Sequence, residues 1–312
     1  MKRVCRIALL GECMIELRGQ MFGTMQQAFG GDTLNTAVYL SRLASHKGVQ
    51  VSYATDLGID PFSDAMVKAW ESEGIDTSLI KREQGRMPGL YTIQVDETGE
   101  RTFHYWRDMS AAKAYFNAAV SPLEEQLDDI DALYFSGISL AILDAAARDR
   151  LFSAAMRLRE RGGKVIYDNN YRSRLWPVTV EARAWYAHAY EMADIAMITL
   201  DDEMALFGIT DESKALERAF ALPTPEVVIK RGAEPAIIRV AGADPMYVPA
   251  CKVDKVVDTT AAGDSFAAGY LSARLTGSDP EASARSGARM ASVVIQYPGA
   301  IIPRDAMPAD LL

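Results

Sequence analysis

The sequence predicts an α/β fold: a largely parallel sheet covered by helices on both faces, with a small antiparallel sheet projecting from it. Three observations predict it. Short apolar runs alternate with helix-periodic segments along most of the chain. The alternation breaks once, where two strand-like runs flank a short polar turn. The chain has 312 residues, of which 49% are hydrophobic, enough for one large core.

Residues 6–11 read as a first buried strand; Lys2 and Arg3 precede its apolar run and Glu12 interrupts it, too early for a signal peptide. Residues 33–44 read as a helix, 49–55 as a second strand and 62–73 as another helix. The strand-like pieces 14–18, 26–29, 90–96 and 101–106 are expected to form the small antiparallel sheet, the last two joined by the turn Glu97-Thr98-Gly99-Glu100. Further strands are expected at 132–136, 164–169, 195–199 and 227–230, separated by helical segments such as 140–161 and 179–192. No internal repeat or long linker marks a boundary, so residues 1–312 are expected to form a single domain.

A formal charge of −9 argues against nucleic acid or an anionic membrane as the main partner, and no apolar stretch has the length of a transmembrane helix. An anionic small molecule would need locally placed Arg or Lys. The three cysteines, Cys5, Cys13 and Cys251, show neither CxxC nor Cys/His ligand spacing, which fits a reducing cytoplasm. There is no GxxxxGK[ST] loop, strand-borne GxGxxG, HExxH or GxSxG, and His46, His104 and His188 are scattered.

The most informative run is Asp258-Thr259-Thr260-Ala261-Ala262-Gly263-Asp264-Ser265-Phe266. Phe266, Tyr270 and Ala273 recur at helical spacing, so a helix is expected to start near Ala262 with Asp264 in its first turn. Such a start leaves N–H groups unpaired and attracts phosphate oxygens; Ala261, Ala262 and Gly263 leave room for the backbone to be approached. A carboxylate beside that anion site can take a proton from an attacking hydroxyl, although the same residues would also make an ordinary helix start. Gly30-Gly31-Asp32-Thr33-Leu34-Asn35 precedes a helix, and Asp32 and Asn35 suit either sugar hydroxyls or capping. Asp168-Asn169-Asn170-Tyr171-Arg172 follows a strand end, the edge that bears ligands in open α/β sheets. An arginine there, like Arg107 after Tyr105-Trp106, has the planar donor fork that matches a carboxylate.

Residues 258–271 resemble, position by position, the C-terminal signature of the ribokinase-like (pfkB) carbohydrate kinases, and the Gly30-Gly31 run resembles their N-terminal sugar motif. The resemblance spans nearly the whole chain. It implies the ribokinase-like three-layer fold, a lid formed by residues 12–30 and 88–110, homo-oligomers through that lid, ATP as phosphoryl donor with Mg2+, and room for a monovalent cation. It implies Asp264 as catalytic base, Ala261, Ala262 and Gly263 as an anion hole, and Gly31, Asp32 and Asn35 as sugar contacts. The D-x-N-x-R run resembles the family members that act on 2-keto-3-deoxygluconate, which implies Asn170 near the phosphates and Arg172, Arg107, Tyr105 and Tyr91 at the acid sugar. Lys230, Arg231 and Gly232 match a nucleotide-side loop. Glu203 matches a residue that positions magnesium through water, although Leu200 stands where the family pattern has Asn. The implied reaction is transfer from ATP to 2-keto-3-deoxygluconate, giving the 6-phosphate. The alternatives are a neutral-sugar kinase of fructokinase or ribokinase type and a non-catalytic sugar- or nucleotide-binding protein. Asp264 is expected to have ordinary acidity, with a pKa of about 3.9.

Overall fold

The computed structural model describes residues 4–95 and 101–308, so the turn read at 97–100 lies outside the described residues. The large sheet contains β1 (Cys5–Leu10), β4 (Val49–Leu57), β5 (Ile80–Arg82), β8 (Ala132–Ser136), β9 (Lys164–Asp168), β10 (Ile195–Thr199), β11 (Glu226–Lys230), β12 (Ala236–Val240) and β13 (Met246–Val248). The small sheet contains β2 (Met14–Gly19), β3 (Met25–Gly30), β6 (Leu90–Val95) and β7 (Arg101–Trp106).

The large sheet runs β13-β12-β11-β10-β9-β8-β1-β4-β5, parallel from β11 to β5, with β12 and β13 added antiparallel. Its apolar strands read as they do because both faces are covered. In β1, Ile7 and Leu9 point into one core and Ala8 and Leu10 into the other. Helices Asp32–Ala44, Pro61–Ser72, Ala262–Arg274 and Pro280–Val294 pack on the first face. Ala145–Glu160, Thr179–Met192, Leu200–Phe207 and Glu212–Phe220 pack on the second, completing a three-layer α/β/α arrangement.

Two differences from the sequence reading have local causes. The helical segment expected over 140–161 is two helices, Gly137–Ile142 and Ala145–Glu160. Asp144 separates them by accepting the Ala147 N–H at 2.8 Å as an N-cap. The short edge strands β5 and β13 went unread because edges need less burial and carry weaker patterning than central strands, and β12, paired between β11 and β13, went unread with them. The small sheet runs β3-β2-β6-β7: its outer pairs are antiparallel, and β2 and β6 pair parallel between them. Met14, Tyr91 and Ile93 share an apolar face with Phe103 and Tyr105, while His104 lies exposed near Gln94.

Strand succession reverses at β1, which has β4 on one side and β8 on the other. Ligands of open α/β sheets bind beside such a switch point, at the carboxyl ends of the strands.

Candidate active site

A cleft of about 780 Å³ opens at that edge, between the strand ends and the apolar face of the small sheet. Asp32, Asp168, Asn170, Thr199, Lys230 and Asp264 are among its walls. Each follows or ends a strand or opens a helix, so the sheet's direction gathers residues far apart in sequence.

Helix Ala262–Arg274 begins as expected. Asp258 braces its approach: one carboxylate oxygen accepts from Thr260 N at 2.9 Å and the other from Gly299 N at 2.7 Å. Ala261 turns the chain with φ of 60°, left-handed backbone that an L side chain disfavours. Ala261→Gly is therefore expected to raise unfolding stability by about 0.5–1 kcal/mol with turnover close to wild type. A lowered melting temperature would show that this turn holds no such strain.

The first turn of helix Asp32–Ala44 meets this helix start. Asn35 Nδ2 donates to Asp264 Oδ2 at 2.8 Å, and Thr36 Oγ1 donates to the Asp264 carbonyl at 3.3 Å. Asp32 Oδ2 accepts from Ser136 Oγ at 2.5 Å and from Asn170 Nδ2 at 2.8 Å. Burial pushes the Asp264 carboxyl up to about 7; the negative charges of Asp32 and Asp168 add to the rise, while the Asn35 bond and Lys230 oppose it. This corrects the expectation of ordinary aspartate acidity. Gly31 is dictated by close approach, since a Cβ there would stand 2.1 Å from the Glu12 carbonyl oxygen.

The opposite wall is aromatic and basic. Tyr91 stacks on Tyr105 with ring centroids 5.7 Å apart and donates its hydroxyl to Glu16. Arg107 is buried and pairs with Glu12, itself buried at the end of the first strand's run. Neither group is saturated: Arg107 Nε, Glu12 Oε1 and Asn35 Oδ1 are buried without a hydrogen-bond partner. Such atoms are costly unless a ligand or water satisfies them. Arg172 donates to Asp202 at 3.1 Å, and Arg174 lies over the Tyr105 ring at 3.8 Å.

The family model for the pfkB carbohydrate kinases matches residues 5–307. The chain belongs to that family. It is 50% identical over 307 residues to the 2-dehydro-3-deoxygluconokinase of Escherichia coli K12, covering 97% of this chain and 99% of that one. Among solved structures it resembles the 2-dehydro-3-deoxygluconokinase of Thermotoga maritima, with TM-score 0.79, 23% identity and coverage of 96% and 94%. It also resembles an ATP-bound fructokinase of Xylella fastidiosa, with TM-score 0.81, 23% identity and coverage of 97% and 95%.

As a pfkB kinase, the chain brings most of the sequence-read residues to one cleft: Gly31, Asp32, Asn35, Tyr91, Tyr105, Arg107, Asn170, Arg172, Lys230, Ala261, Ala262, Gly263 and Asp264 all line it. Three others lie elsewhere. Glu203 has no exposed surface; its carboxylate takes the Tyr190 hydroxyl at 2.6 Å and Arg218 Nε at 3.0 Å, so it faces the core. Asp201 and Asp202, on the same helical turn, face the cleft instead. Arg231 turns away to Glu212, with Nε 3.0 Å from Oε1, and Gly232 forms an exposed turn with φ of 60°. The nucleotide-side charge is thus Lys230 alone of those three residues, held by Asp168 Oδ2 at 2.7 Å.

Sequence reasoning assigned no site role to Glu12, Ser136, Asp168 or Arg174. The first three share one legible signal: a polar residue at or just past the carboxyl end of an apolar parallel strand. Arg174 offers no such signal, because it sits in the short turn Ser173–Leu175.

Proposed function

We propose that this pfkB kinase is a cytoplasmic, ATP-dependent kinase of 2-keto-3-deoxygluconate, with Asp264 as general base. One observation carries the reading: Arg107 Nε, Glu12 Oε1 and Asn35 Oδ1 lie buried and unpaired in the same cleft as Asp264. A hydroxylated acid fits that set, giving donors to the oxygens and a carboxylate to the arginine. The names of the E. coli and T. maritima relatives support the same substrate.

The terminal hydroxyl oxygen attacks the γ-phosphorus, its proton passes to Asp264, and the bond to the bridging oxygen breaks to release ADP. Burial raises the Asp264 carboxyl to about 7, which makes it a better proton acceptor than an ordinary aspartate near neutral pH. The amides of Gly263 and Asp264, in the unpaired first turn, and Lys230 face the growing negative charge. Arg107 and Arg172 hold the acid end, with Tyr91 and Tyr105 walling the sugar; the small sheet acts as a lid that excludes water. Association with a second copy through that sheet belongs to the same reading.

Mg2+ fits this donor set. Among the described residues no three His, Cys, Asp or Glu side chains gather into a metal cage. Asp168, Asp201 and Asp202 line the cleft, so one or two carboxylates with phosphate oxygens and water would hold the ion, as Mg2+ prefers. When bound, it would offset the negative charge that builds on the transferring phosphoryl group.

The deciding assay offers 2-keto-3-deoxygluconate, its galacto epimer, fructose and ribose with ATP and Mg2+, and measures ADP release. A kcat/KM for the acids at least about 100-fold above the neutral sugars is expected, roughly the value of one charge-assisted contact pair. Preference for fructose or ribose would overturn the substrate; binding without any phosphorylated product would overturn the catalytic reading.

A further inference from the structure

Carboxylates outnumber cationic side chains on the cleft walls six to four among the described residues. An anionic sugar entering there needs positive charge that is not already neutralised. Three of the four cations are committed: Arg107 to Glu12, Arg172 to Asp202 and Lys230 to Asp168. Arg174 is the exception, with no ion pair or hydrogen bond among the described residues. Its one interaction is the stack on Tyr105, guanidinium carbon 3.8 Å from the ring centroid.

That stack leaves its hydrogen-bonding capacity intact. A guanidinium over an aromatic ring uses its flat face, while its N–H donors point outward in its own plane. The ring is itself fixed, with Tyr91 stacked at 5.7 Å and Arg107 at 5.9 Å. Tyr105 belongs to the small sheet and Arg174 to the turn after β9, so the pair also ties that sheet to the large one across the cleft. The fork is thereby oriented without being paired.

We infer that Arg174 determines specificity for the acid group: its free N–H fork binds the substrate carboxylate while its face stays on Tyr105. This rests on the sugar-acid reading above. Arg107 and Arg172, each already paired with a carboxylate, then hold the acid end as hydrogen-bond donors, and Arg174 supplies the uncompensated charge that a neutral sugar would not need.

The test compares wild type, Arg174→Gln and Arg174→Lys on 2-keto-3-deoxygluconate and on 3-deoxyfructose, the same chain with the carboxylate replaced by a hydroxymethyl group. For Arg174→Gln, KM for the acid is expected to rise about 10- to 100-fold, as for loss of one charged hydrogen-bonding group. The kcat, the KM for ATP and the KM for 3-deoxyfructose should stay within about threefold. Arg174→Lys, which keeps the charge without the planar fork, should recover part of the acid affinity. An unchanged acid KM, or equal losses on both sugars, would overturn the inference and leave the sugar-acid reading standing. A wild type that fails to favour the acid over 3-deoxyfructose would overturn both.

Discussion

Asp264→Asn is expected to lower kcat by about 10³-fold, within the range for loss of a positioned general base, while ATP affinity changes little. Single-turnover phosphoryl transfer and nucleotide titration measure the two separately. The raised carboxyl adds a pH signature. Only ionised Asp264 accepts a proton, so wild-type kcat/KM should fall tenfold per pH unit below about 7, and this limb should vanish in the residual activity of the variant. Stability moves the other way. The folded-state value of about 7 lies above the unfolded value of about 3.9, so the folded protein holds an extra proton between them. That contribution is present below pH 4 and is lost as pH rises through 7. Asp264→Asn, which keeps an oxygen for Asn35 but cannot ionise, is expected to be more stable than wild type at pH 8, by no more than about 4 kcal/mol of unfolding free energy. A variant with lower stability at pH 8 and no change in pH profile would remove Asp264 from the role of base.

Arg107→Met is expected to damage both folding and substrate affinity, through two separable causes. Glu12 keeps only 1% of its side-chain surface exposed, so removing its partner strands a buried charge, at a cost of about 3–5 kcal/mol. Adding Glu12→Gln removes that charge and should restore most of the stability. The KM for the acid sugar should stay raised in the double variant, because the buried Arg107 donors are still missing. Recovery of both stability and KM in the double variant would make Arg107 a purely structural partner of Glu12.

The folding of the site's halves was unequally legible. Central strands β8 and β10 ended where their apolar runs ended, because a strand buried on both faces cannot accommodate more polar residues without leaving the core. The start of helix Ala262–Arg274 was readable because its small residues and spacing are local signals. Glu203 was not: an acidic residue in a first helical turn looks the same whether it faces a cleft or, as here, a buried tyrosine and arginine. Arg231 failed similarly, since its partner Glu212 opens a helix while Arg231 follows β11.

By itself the sequence determined the layered α/β fold, the sheet edge that carries the chemistry and the residue types gathered there, because periodicity, strand ends and helix starts are written in neighbouring residues. Only the tertiary structure decided their charge state. Asp264 owes its basicity to burial and to Asp32 and Asp168, remote in sequence. Arg107 is committed to a glutamate 95 positions away, whereas Arg174, unremarkable as a letter, keeps its charge free. Coulombic and desolvation effects act through space, and no local pattern records which groups the fold will bring within a few ångströms of one another.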